Sequence, residues 1–155
     1  MPNFTEEYRN KHDRSEWSRG PWDKETLDKA VWVDKATGLD CMIKRNGTGA
    51  WCGYVGLPST HSAFGVQYWD VNVTTHGELT YSNHCHGDIC HLHDGNEDET
   101  WWFGFDCCHS FDQAPLSIGS SNYGEYRTER YVINEVQKLA QSLKNYTHVE
   151  TEDSW

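Results

Sequence analysis

The chain has 155 residues and a formal net charge of -11, from 24 acidic against 13 basic side chains. That length suits one domain with its own core rather than two, and the charge argues against gripping nucleic-acid phosphates, which takes a basic surface. Hydrophobic residues make up only 36%, but 8 Trp, 8 Tyr and 5 Phe bury much area per residue, so the composition argues for a small folded domain rather than a disordered acidic chain.

No apolar run approaches the roughly 20 residues of a membrane span. The start, MPNFTEEYRNKHDR, lacks the apolar stretch of a signal peptide, so the expected compartment is a reducing cytosol with free thiols. Residues 1–29 form a polar N-terminal arm whose Trp17 and Trp22 either dock on the body or belong to a frayed terminus. Residues 30–146 are expected to form a single α+β domain, and 147–155 an acidic tail.

Within the domain, Val31–Val33, Cys41–Ile43 and Trp51–Val55 read as short strands. Asn46-Gly47 between the last two is the strongest two-residue hairpin signal. With those residues at the turn centre, Arg45 pairs with Thr48, Ile43 with Ala50, and Cys41 with Cys52; a longer loop through Gly49 breaks that register. Tyr68–Val73 and Glu78–Tyr81 are further strand expectations, and Ser82–Thr100 reads as a long loop. Trp101–Phe105 is the densest apolar run and fits a central strand. Alternation puts Trp102, Gly104 and Asp106 on one face and Trp101, Phe103 and Phe105 on the other. Thr128 is the expected N-cap of one amphipathic helix at about Glu129–Lys144. The sum is an α+β fold: a mainly antiparallel sheet with a C-terminal amphipathic helix.

The chemistry is concentrated. Of 9 His and 6 Cys, ten fall between His76 and His109. The segments His84-Cys85-His86, Cys90-His91-x-His93 and Asp106-Cys107-Cys108-His109 offer imidazole, thiolate and carboxylate, which suit zinc or another divalent transition metal. The spacing is not that of a zinc finger, because no paired C-x-x-C occurs. A metal-free polar pocket and a solvated loop are the plainer readings. Asp106 ends a strand, and His109 can fold back beside it as a ligand or an acid–base pair. His76 and Glu78, two residues apart, share a face and could complete the site. There is no G-x-S-x-G elbow, no G-x-G-x-x-G and no P-loop, so serine hydrolases and the ordinary nucleotide folds are disfavoured.

His76-Gly77-Glu78-Leu79-Thr80-Tyr81 and Trp101–His109 resemble the H-G-G-L-T-Y and W-W-F-G-F-D-C-A-H segments of a family of small uncharacterised bacteriophage and prophage proteins. The resemblance extends from about residue 31 to 143, with Glu78 in place of Gly and Cys108 in place of Ala. His84, His86 and His93 lie outside its pattern. It therefore favours His76, Cys90, His91, Asp106, Cys107 and His109 as metal ligands. The residues themselves offer His76, Glu78, Asp106 and His109 as catalytic groups. The resemblance implies a phage origin and supplies no activity. With the acidic charge, the many rings and the lack of a standard catalytic motif, the expectation is a phage accessory protein in the cytoplasm of a bacterial host, an antagonist of a defence or regulatory component. The partner would be a host protein or a small nucleotide-like ligand, with neither nucleic acid nor membrane bound directly. A metal-dependent hydrolase and a metal-stapled structural protein are the alternatives.

Overall fold

The computed structural model describes residues 2–90, 100–109, 111–116 and 124–149. A six-stranded antiparallel sheet runs in the order β1 (Glu6–Arg9), β2 (Leu27–Val33), β3 (Asp40–Arg45), β4 (Trp51–Pro58), β6 (Thr100–Asp106), β5 (Tyr81–His84). A short parallel pair, β7 (Asp112–Gln113) with β8 (Glu125–Tyr126), leads into the α-helix α1 (Glu129–Asn145). The α+β expectation holds, and the Thr128 hydroxyl accepts the Tyr131 N–H as an N-cap should.

Helix α1 exists because its apolar residues recur at helical spacing. Val132, Ile133, Val136, Leu139, Ala140 and Leu143 are all buried and pack with Trp101, Phe103 and Phe105 of β6 in the main core. Burying each of these aliphatic side chains contributes about 1.5–3 kcal/mol. On the opposite sheet face Val31, Met42, Tyr54 and Trp102 form a smaller cluster closed by Ile89. The two faces of β6 are thus those that alternation requires.

Three local expectations need correction. The β3–β4 connection is a longer loop: Asn46 N–H bonds to Ala50 O, and Arg45 pairs with Trp51. The Asn46 carboxamide accepts from both the N–H and the hydroxyl of Thr48, and Gly49 closes the turn at φ +86°, a conformation that glycine adopts without steric cost. Cys41 therefore faces Val55, and Cys52 faces Lys44. The shift is an odd number of residues, so the two thiols lie in different clusters on opposite faces. Tyr68–Asp70 is a 3-10 turn rather than a strand, with Trp69 and Asp70 exposed. The edge strand is Tyr81–His84, which begins where the expected Glu78–Tyr81 strand ends and runs into the stretch expected to be loop.

The N-terminal arm supplies β1 at the sheet edge. Trp22 is buried and Trp17 packs against the core. Among the described residues no helix is long and apolar enough to cross a membrane.

Candidate metal centre

Strand β6 positions one side of the site. Its ladder with β4 continues to the Cys107 N–H, which bonds to Trp51 O. That turns the Cys107 side chain into the main core, where it is 1% exposed. Burial, followed by the nearby carboxylate of Asp112, pushes its thiol far above the ordinary range. Cys107 is thus a buried free thiol, and it stands outside the cluster of possible metal ligands.

After Asp106 the chain reverses. The Cys108 N–H bonds to the Asp106 carboxylate, and a turn joins Asp112 N–H to His109 O. Asp112 then reaches back to accept the His109 N–H at 3.0 Å. Pairing of β7 with β8 brings Arg127 alongside, and its Nε donates to Asp112 at 2.8 Å. From the opposite direction, the 71–80 segment delivers His76, buried to 5% exposure. His76 Nε2 lies 3.0 and 2.9 Å from the two Asp112 oxygens. Its Nδ1 lies 2.6 Å from the Tyr131 hydroxyl, in the first turn of α1.

Burial alone would raise the Asp112 pKa. The Arg127 and His76 hydrogen bonds and the His109 N–H outweigh it and hold the carboxyl below its usual range. Asp112 is therefore an ionised acceptor.

His109 completes the group. Its ring lies 5.4 Å from that of His76 and stacks on Phe111 at 5.3 Å and 17°. Its Nε2 is buried without a hydrogen-bond partner among the described residues. Gly77, at φ +77°, makes room for it, since a Cβ there would sit 3.0 Å from that nitrogen. One ligand atom from each of His76, His109 and Asp112 falls within 4.8 Å of the others, so the cluster could hold a metal ion.

The sequence-predicted residues divide as follows. His76 and His109 come together. Asp106 is nearby, with its Oδ1 3.9 Å from His109 Nε2, but it bonds to Cys108 N–H and Thr80 Oγ1 and stands outside the cluster. Glu78 is exposed and also outside it. Cys90 is disulfide-bonded to Cys85, which leaves no thiolate to coordinate, and the expectation of free thiols fails for this pair. His91 and His93 lie outside the described residues. His84 is exposed and packs edge-on against Trp101. The residue that sequence reasoning missed is Asp112, whose only signal is its position three residues after His109.

Compared with protein-family models, with curated proteins and with solved structures, the chain finds no match.

Proposed function

We propose that the protein is a metal-dependent hydrolase whose ion is held by His76, His109 and Asp112. The observation that carries this reading is the buried, unpartnered Nε2 of His109 beside the His76–Asp112 pair. An unsatisfied buried imidazole nitrogen is costly, and a ligated cation would satisfy it. Two imidazoles and a carboxylate suit zinc or a similar divalent transition ion. The outer partners fit too: Tyr131 orients His76 through Nδ1, and Arg127 fixes the Asp112 carboxylate, as groups hydrogen-bonded to metal ligands commonly do.

Three protein ligands, rather than four, are the pattern of catalytic sites. A bound divalent ion supplies Lewis acidity toward a carbonyl or phosphoryl oxygen. The chain's own residues do the rest. Phe111, 51% exposed, stacks on His109 and shields the site from water. Asp106, partly exposed beside His109, is placed to hold or pass on a proton at its Oδ1.

The biological setting is read from the motif resemblance, which supports a phage origin, and from the acidic, ring-rich composition: a phage accessory protein in the cytoplasm of a bacterial host, opposing a defence or regulatory component there. The acidic surface fits a protein that leaves nucleic acid unbound.

Metal analysis of the purified protein tests the centre. One zinc or similar ion per chain is expected, lost in Asp112→Asn and His109→Ala but retained in Asp106→Asn and Glu78→Gln. Equal loss in Asp106→Asn, or a metal-free wild type that takes up none on titration, overturns the assignment. A metal whose removal unfolds the chain while no ester or phosphoester is cleaved would make it a structural staple instead.

A further inference from the structure

Away from the His76 cluster, the sheet edge concentrates positive charge in an otherwise acidic protein. A cavity of about 490 Å³ opens between β1, β2, β3 and the disulfide-closed turn, with Lys11, Lys29, Lys44 and Arg45 on its walls against two carboxylates among the described residues, Asp28 and Asp88. Its size is that of small-ligand sites.

The strand register builds it. Tyr8 pairs with Lys29, and Lys29 with Lys44, so one row across three strands sets two ammonium groups side by side. Like charges directly opposite each other on adjacent strands repel. Arg45 and Asp28 do not relieve them. Arg45 is fully buried and committed to Glu25, Asp28 and backbone carbonyls. Asp28 is taken up by Arg14, Arg45 and the N–H groups of Lys11 and His12.

That leaves Asp88. It arrives from the turn closed by Cys85–Cys90 and places its carboxylate 3.3 Å from Lys44 Nζ, while its carbonyl accepts from Lys29 Nζ at 2.8 Å. The Asp88 side chain is 76% exposed, and ion pairs this exposed bind weakly. The Lys29 ammonium also sits over the Tyr8 ring, 5.5 Å from its centroid, so a flat wall adjoins the charged floor.

We propose that this cleft binds a small phosphate-bearing ligand, whose phosphate bridges Lys29 and Lys44 in place of the Asp88 carboxylate. A dianion suits the two ammonium groups, whereas a carboxylate would only replace like with like. The acidic remainder of the surface keeps long polyanions out. The site is independent of the metal centre.

Calorimetric titration of the full chain with inorganic pyrophosphate and with adenosine diphosphate tests this. Both should bind the wild type. Lys29→Gln and Lys44→Gln should each weaken binding about tenfold, the loss of one charge-assisted hydrogen bond. Asp88→Asn, on an exposed turn where folding is not at stake, should tighten it about threefold by removing the competitor. Absence of binding to both wild type and Asp88→Asn at millimolar ligand overturns the proposal. So does binding that survives both lysine variants but disappears in Asp112→Asn, which would place the anion at the metal centre. Duplex DNA binding more tightly than adenosine diphosphate would overturn the small-ligand assignment.

Discussion

Asp28 shows how this chain keeps a buried carboxylate charged. Only 6% exposed, it would have its pKa raised by burial. The N–H of His12, the Arg14 guanidinium and the N–H of Lys11 more than offset that, and the net shift is downward. A carboxylate depressed on folding contributes stability that is complete above its unfolded pKa near 4 and is lost as pH falls through the folded value. Asp28→Asn should therefore lower the melting temperature at neutral pH and flatten its decline between about pH 4 and 2. An unchanged acid limb in the variant would remove Asp28 from that account. The metal cluster follows the same rule, with Asp112 held ionised by its donors. Two of its three residues, His76 and His109, are legible in the sequence as part of a dense His/Cys segment. The carboxylate is not, because strand alternation marks Asp106 as the residue at the strand end. The turn that follows makes Asp112 the partner instead, and nothing in the local pattern reports that turn. The Cys85–Cys90 bond escaped notice for a related reason: the same residue types serve as ligands or as a bridge, and only their approach, with Cα atoms 4.4 Å apart, decides.

The β3–β4 hairpin is the element where local sequence was most informative and still misleading. Asn46-Gly47 correctly marks a reversal, but the two-residue type I′ turn that Asn-Gly favours would need positive φ at both residues. Here neither Asn46 nor Gly47 has it, and Gly49 does. The choice is made by the Asn46 side chain capping Thr48 and by packing, since a Cβ on Gly49 would stand 2.7 Å from Trp17 and 2.9 Å from Pro115. Gly49→Ala should cost about 2 kcal/mol or more, from left-handed strain of about 1–2 kcal/mol plus the displaced Trp17. Gly47→Ala, with nothing within 4 Å, should stay within about 0.5 kcal/mol. Denaturant melts of the two variants separate the alternatives, because the two-residue turn requires the opposite ranking. By contrast β6 and α1 were legible in full. Their signals are long periodic patterns whose buried faces meet in one core, and no single turn residue can redirect them.

At the level of the whole molecule, the polar composition of residues 1–29 conceals their structural part. Phe4 packs its ring 5.7 Å from Trp32, β1 pairs along β2, and Lys11 and His12 supply two of the donors that hold Asp28. Further along, Arg14 and Arg45 bracket the Trp17 ring at 4.7 and 5.2 Å. Ser18 bonds to Pro115, which ties the arm across the β3–β4 loop to the segment after β7. Composition could not report this, because an edge strand needs few apolar residues and its bonds are made by backbone. Removing residues 2–12 strips β1 and uncovers the N–H and C=O groups of β2, whose residues are otherwise nearly all buried. An unpaired edge of that kind is a template for another chain. The truncated protein should melt several degrees lower, since each kcal/mol is worth about 2–4 °C at this size, and should elute as a dimer or larger species while the full chain keeps its own elution volume. The lysine row supplies a second readout, because Tyr8 and Lys11 leave the cleft with β1 and the response to pyrophosphate should weaken as well. A truncated chain that melts and elutes like the parent would show that the sheet begins, in energetic terms, at Leu27.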